Sequence, residues 1–203
     1  MSPEELYTIL HYHRQMSGKQ PSHRSLGWVS ESSQQKRFQL LCQLGDMNGC
    51  EIMDLGCGYG DFRAYLHQEY ADTIYYGIDC MPSFLEIATR KYGELPNTYF
   101  YQGDFSSMPL AEVDYMICCG SFNYRRSEED AYLPVISKMF RAARKGVGFN
   151  MLDASVFQQQ GALQGHEVDR VMAHCHSLTS EVKLIQGYSK HDFTIFLYPS
   201  TNK

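Results

Sequence analysis

The segment Glu51 to Phe62, EIMDLGCGYGDF, constrains this chain more than any other. An apolar run carries an acidic residue, Asp54, and opens into glycines at alternate positions, Gly56, Gly58 and Gly60. Glycines at this density are costly in chain entropy, so they persist where the backbone must turn sharply and something must approach it closely. The pattern predicts a buried strand turning directly into a helix, with backbone amides bared at the turn for a flat or anionic ligand. A dinucleotide fingerprint runs G-x-G-x-x-G, and its third glycine would fall where this chain has Asp61. The spacing therefore points away from a nicotinamide or flavin.

The rest of the chain surrounds that turn with alternating strands and helices. Residues 1–45 read as a helical N-terminal extension. Ser2-Pro3-Glu4-Glu5 offers a cap, an early proline and a capping-box glutamate, and Leu6, Ile9, Leu10 and His13 share one face. A loop over 18–25 leads to Leu26-Gly27-Trp28, and a second helix from Ser32 to Leu44 stops at Gly45. From 46 to 203 strands are expected at Ile52–Leu55, Thr73–Ile78, Thr98–Tyr101, Val113–Cys119 and Val147–Leu152, with helices between them. The fourth interval holds Tyr132, Val135, Ile136, Met139, Phe140 and Ala143 at helical spacing, with Pro134 expected to kink or restart that helix. A helix through Val168, Val171, Met172, Cys175 and Leu178 precedes two strands, Val182–Tyr188 and Phe193–Tyr198. Repeated strand–helix units imply an α/β fold, a doubly wound and mostly parallel sheet. The short link between the last two strands suits a hairpin, so one of them must run antiparallel.

Composition narrows the function classes. With 203 residues and 43% hydrophobic content the chain suits one domain with a substantial core. A net charge of -5 and the lack of any long Lys/Arg run give no general attraction to nucleic acid. No apolar stretch approaches the ~20 residues of a membrane span. The seven cysteines lie mostly in apolar runs without a C-x-x-C pair and read as free thiols in a reducing, cytoplasmic setting. His174-Cys175-His176 does not read as a metal site, because neighbours on a helix point about 100° apart.

Asp54, Gly56, Gly58 and Gly60 match D/E-x-G-x-G-x-G position for position, and this resembles motif I of the class I S-adenosylmethionine-dependent methyltransferases. The resemblance extends over Glu51 to Pro199 and implies a seven-stranded sheet with an antiparallel seventh strand. It implies S-adenosyl-L-methionine as cofactor, S-adenosyl-L-homocysteine as product, and a binding turn of Asp54, Gly56, Cys57, Gly58, Tyr59, Asp61 and Phe62. Asp79, 19 residues after Gly60, matches the family's acceptor for both ribose hydroxyls; its other reading is a helix cap before Pro82. Cys80 and Met81 fall where the family contacts the adenine face. Gly103-Asp104-Phe105 resembles the motif whose Asp accepts from the adenine amine, Asp104 alternatively serving as a turn residue. Cys119 and Gly120 match the segment beneath the methionine moiety, and Asn123 and Tyr124 follow as candidate substrate contacts. The N/D-P-P-Y/F motif of adenine and glutamine methylases is missing from this place. Gly27, Trp28, Gln34 and Arg37 resemble residues that close over the methionine end, with Arg37 pairing the cofactor carboxylate; a core Trp and a solvated Arg are the alternatives.

Methyl transfer from a sulfonium asks the protein mainly for orientation and desolvation. A base is optional, and Tyr12, Tyr124, His11 and His13 are the candidates, with the catalytic residue left unassigned. Three readings follow: a methyltransferase for a small-molecule metabolite, one for protein or RNA, and a noncatalytic cofactor-binding domain. The aromatic pieces Trp28, Phe122 to Tyr124 and Phe157 suit a small acceptor, and residues 153–165 suit a lid or a docking loop.

Overall fold

A computed structural model describes residues 1–16 and 22–200; part of the loop expected over 18–25 lies outside the described residues. Helices α1 (Pro3–Met16) and α2 (Glu31–Leu41) precede strand β1 (Glu51–Leu55). Then follow α3 (Asp61–Glu69), β2 (Ile74–Asp79), α4 (Pro82–Tyr92), β3 (Thr98–Gln102) and β4 (Val113–Cys119). Helix α5 (Tyr132–Ala142), β5 (Ala143–Leu152), α6 (Val168–Leu178), β6 (Val182–Ile185) and β7 (Asp192–Leu197) complete the chain. The seven strands form one sheet in the order β3-β2-β1-β4-β5-β7-β6. β7 runs antiparallel to both β5 and β6, while the pairs from β3 to β5 are parallel.

This is the expected α/β architecture with its single reversed strand near the C-terminus. The chain winds outward from β1 to β3 on one side and from β4 to β6 on the other. The carboxyl ends of β1 and β4 therefore flank the point where the winding reverses, and a crevice opens there.

Several boundaries differ from those expected, each for a local reason. α2 starts at Glu31 because the Ser30 hydroxyl accepts from the Ser33 amide at 3.1 Å, and it tightens into a 3₁₀ turn over Cys42–Leu44. Pro134 neither kinks nor restarts α5. It sits in the first helical turn, where backbone N–H groups have no partner within the helix. β5 begins at Ala143, directly after α5 and ahead of the expected Val147. The first closing strand ends at Ile185, short of the expected Tyr188, the last is shifted by one residue to Asp192–Leu197, and residues 186–191 join them.

The helices bury both faces of the sheet. Val135, Ile136 and Met139 of α5 and Val171 and Cys175 of α6 pack on Met116, Phe149, Ile195 and Leu197. Phe38 and Leu41 of α2, with Phe62 and Leu66 of α3, pack on Ile52, Tyr75, Ile117 and Phe196. The N-terminal extension thus contributes one of the layers over the sheet. Among the described residues no helix is long and apolar enough to cross a membrane.

Arg63 of α3 is 2% exposed and was not legible as a core residue. Its guanidinium donates to the Thr98 hydroxyl at 2.6 Å, the Thr73 hydroxyl at 2.8 Å and the Pro96 carbonyl at 2.8 Å. These bonds tie α3 to the starts of β2 and β3. Arg63→Ala leaves the buried Thr73 hydroxyl and two partly buried acceptors without a charged donor, and urea unfolding is expected to show a loss of about 2–4 kcal/mol. A loss below about 0.5 kcal/mol would show that the tie contributes little.

Candidate active site

Three glycines make the β1–α3 turn possible, and Gly56 shows why most directly. Its φ is 76°, and a Cβ there would lie 1.9 Å from the Ser121 hydroxyl. That hydroxyl donates to the Gly56 carbonyl at 3.3 Å, so the turn after β1 is seated against the end of β4. The turn's amides are largely spoken for, contrary to the expectation of bare donors. Gly56 and Cys57 donate to the Ile78 carbonyl at 2.7 and 3.1 Å, Gly60 to Cys57 at 2.9 Å, and Gly58 to Asp79 Oδ2 at 2.9 Å. What the turn presents to the crevice is chiefly a side-chain-free backbone surface.

Asp79 closes the end of β2. Its Oδ2 accepts from Gly58 and its Oδ1 from the Met81 amide at 2.9 Å; Met81 and not Asp79 is the N-cap of α4, so the carboxylate braces the turn before the helix without capping it, and it also lines the crevice. A carboxylate has about four acceptor positions, so acceptor capacity remains for a ligand hydroxyl after these backbone bonds. Burial raises its pKa to about 6, against the lowering effect of the backbone donors. Asp54, one strand away, is 2% exposed. Its Oδ2 accepts from the Tyr75 hydroxyl at 2.7 Å, while Oδ1 has no partner among the described residues. Burial is the main cause that lifts its pKa to about 7, and the charge on Asp79 adds to it.

The crevice has a volume of about 390 Å³, within the range of small-molecule sites. It brings together most of the expected residues: Trp28, Arg37, Asp54, Gly56, Cys57, Gly58, Asp61, Phe62, Asp79, Cys80, Met81, Phe105, Cys119, Gly120, Asn123 and Tyr124 all line it. Gln34 and Phe157 join them.

The structure sets two expected residues apart. Tyr59 is turned away, 3% exposed, with its ring edge-on to Phe84 at 5.0 Å between centroids. Asp104 does not line the crevice either. Its carboxylate accepts from the Ser106 amide at 2.9 Å and the Met1 amine at 2.7 Å, which is the turn role weighed for it. A short Asx-type loop captures its own following amide more readily than a ligand across the crevice.

The N-terminal segment forms the roof. Trp28 lies against Gly120, whose φ is 79° and where a Cβ would come within 2.9 Å of the indole. Arg37 sits over the Trp28 ring, 4.9 Å from its centroid. It is neither solvated nor free for a ligand carboxylate with its whole fork. One end pairs with buried Asp192 and another donates to the Ser33 carbonyl at 2.7 Å, which leaves Nε unpartnered among the described residues. Sequence reasoning missed Asp192, along with Ser189 and His191 beside it in the crevice wall. The only trace was a polar run, Ser189-Lys190-His191-Asp192, abutting an apolar strand.

At the far end, the Tyr124 hydroxyl lies 2.8 Å from His13 Nε2, and His13 Nδ1 lies 2.8 Å from the Ser25 carbonyl. A carbonyl only accepts, so Nδ1 carries the proton and Tyr124 donates to Nε2. Asn123 is held by accepting from the Leu152 amide at 2.8 Å. His11 bonds Gln15 on the exposed face of α1 and takes no part.

With this geometry in place, comparison with known proteins is decisive. A methyltransferase-domain family model matches residues 52–146. A magnesium protoporphyrin IX methyltransferase from Synechocystis PCC 6803, solved with S-adenosylmethionine bound, superposes with a TM-score of 0.71 at 16% identity, covering 98% of this chain and 99% of that one. A Mycobacterium tuberculosis protein named as a methyltransferase is 31% identical over 156 residues, 72% of this chain and 91% of that protein. The chain belongs to the class I S-adenosylmethionine-dependent methyltransferases. It is a methyltransferase. The magnesium-protoporphyrin O-methyltransferase of Rhodobacter capsulatus is also similar, 27% identical over 132 residues, 64% of this chain and 57% of that protein. Asp54 Oδ1 and Arg37 Nε, an unpartnered acceptor and an unpartnered donor on two residues that line the same cleft, fit the ammonium and carboxylate of such a cofactor's amino-acid end.

Asp54 generates a stability prediction with a defined sign. A carboxyl whose folded pKa is raised binds more protons in the native than in the unfolded state, so its contribution is fully present below about pH 4 and is lost as pH rises through about 7. Asp54→Asn removes that loss. In the ligand-free protein the variant is expected to melt above the wild type at pH 8, and the gap should shrink toward pH 5. A gap of constant size would show that Asp54 does not titrate in this range.

Proposed function

We propose that this methyltransferase acts on a small-molecule acceptor bound in the same cleft as the cofactor. The observation that carries the reading is the cleft's far wall. Tyr12, Phe84, Tyr124, Leu163 and Phe157 give it an apolar, aromatic surface with a few polar groups, the composition of a small-ligand site. The formal charge of -5 gives no phosphate-binding field to suggest a nucleic acid. The relatives named for magnesium protoporphyrin, a small acceptor, support the same choice.

In this reading Asp79 accepts from the ribose hydroxyls, while Cys80, Met81 and Phe105 border the adenine. Asp54 and Arg37 Nε receive the ammonium and carboxylate, and Gly120 with Trp28 borders the methionine chain. Bound in this way, the sulfonium supplies a methyl group for in-line displacement. Burial of the cleft walls excludes water from that transfer, and the paired strand ends fix the direction of approach. Residues 1–45 act as the lid over a methyltransferase body spanning 46–203, because Leu26, Trp28 and Arg37 cover the turns at Gly58 and Gly120. Free cysteines, most of them buried, suit a cytoplasmic site of action.

Four measurements test this. S-adenosylhomocysteine is expected to raise the melting temperature while NAD and NADP do not, since only a ligand of the native state stabilises it. Asp79→Ala should weaken its binding by roughly 100-fold, because two ribose hydroxyls lose their charged acceptor. Binding by wild type should also strengthen from about pH 5 to pH 7 as the buried carboxyls ionise, with a shallower rise in Asp79→Asn. For the acceptor, methyl-labelled cofactor incubated with a cell extract should place label in the low-molecular-weight fraction, unaffected by nuclease. Label found only in protein or RNA would replace this reading with a macromolecular acceptor.

A further inference from the structure

The cleft ends in a polar pair that cofactor binding does not need. His13 of α1 is 4% exposed, yet it lies in the cleft wall beside Tyr124, which follows the end of β4. Three elements fix the imidazole. The Ser25 carbonyl takes the Nδ1 proton at 2.8 Å, the Phe84 ring stands edge-on at 4.9 Å, and Tyr12 stands edge-on at 5.3 Å. Nε2 is thereby the basic nitrogen, and it faces the Tyr124 hydroxyl at 2.8 Å. A phenol that donates to a histidine keeps its own lone pairs for a further donor.

We propose that Tyr124 and His13 form a proton relay that deprotonates the methyl acceptor, and hence that the acceptor carries an acidic proton on the attacked atom, as a phenol or enol does. This rests on the small-acceptor reading above. Tyr124 is the catalytic residue that touches the acceptor, and His13 receives the proton. The acceptor oxygen forms a bond to the methyl carbon as the carbon–sulfur bond breaks, with its electron pair left on sulfur. The acceptor proton passes to Tyr124 Oη, and the Tyr124 proton passes to His13 Nε2. One cation, the sulfonium, disappears as another, the imidazolium, forms. The total charge in the cleft is unchanged, so a low-dielectric site does not oppose the step.

The electrostatic setting agrees. Burial lowers the His13 pKa, which keeps the ring neutral and able to accept at neutral pH. Burial raises the Tyr124 pKa well above the usual range, with Tyr12, Asp79 and Cys80 as the facing groups, so Tyr124 stays a proton carrier and does not become a phenolate.

The test uses the full chain. In complex with S-adenosylhomocysteine, ¹⁵N-resolved spectra of the His13 ring should show a proton on Nδ1 and an accepting Nε2 at pH 7. Tyr124→Phe and His13→Asn should still gain melting temperature with S-adenosylhomocysteine. With the same low-molecular-weight extract as acceptor, their labelling rate should fall about 100-fold or more at pH 7, the usual scale of acid–base assistance. It should recover toward pH 9 as the acceptor ionises unaided. A proton on Nε2, an undiminished rate at pH 7, or a loss that pH 9 does not repair would each overturn the relay. Failure of wild type to respond to S-adenosylhomocysteine would instead overturn the cofactor-site reading on which it rests.

Discussion

Two carboxylates are buried side by side at the carboxyl ends of β1 and β2, and the architecture of the cleft follows from how the fold accommodates them. Asp54 and Asp79 both pack where water is excluded, and both have pKa values lifted by that burial. Holding them there requires donors. Tyr75 supplies one to Asp54, and the amides of Gly58 and Met81 supply two to Asp79. The Gly58 bond draws the glycine turn across onto the end of β2, and the Ser121 hydroxyl seats the same turn on the end of β4. The remaining acceptor capacity faces inward. A ligand bearing hydroxyl and ammonium donors offsets the burial cost that the free protein carries.

The N-terminal segment completes the cleft by a different logic. It brings little charge of its own to the centre, but it places apolar side chains on glycine surfaces: Leu26 over Gly58 and Trp28 over Gly120. Arg37 is then clamped between the Trp28 ring, Ser33 and Asp192, which joins α2 to the start of β7. Glu5 adds a second anchor. It accepts from the Ser127 amide and hydroxyl, both at 2.7 Å, and these donors hold its pKa down to about 2 despite burial. α1 is thus tied to the segment just beyond Tyr124, which keeps His13 in register with its partner.

The sequence by itself determined the strand–helix alternation, the reversed final strand, the glycine turn and the acidic residues at the strand ends. These are properties of local spacing: a period of apolar residues, a glycine where φ is positive, a link too short for a crossover. They suffice for the fold and the place of the site, because in an open α/β sheet the carboxyl ends of the strands converge by geometry alone, while the cofactor followed from the resemblance of Asp54, Gly56, Gly58 and Gly60 to the family motif. Only the tertiary structure decided which way each side chain's spare hydrogen bonds go. Tyr59 turned into the Phe84 cluster, Asp104 bonded its own turn, and Arg37 met Asp192 across a separation of 155 residues. The His13–Tyr124 contact spans 111 residues. Such pairings depend on where distant elements come to rest and on the need to satisfy every buried donor and acceptor, and no local pattern in the chain encodes that.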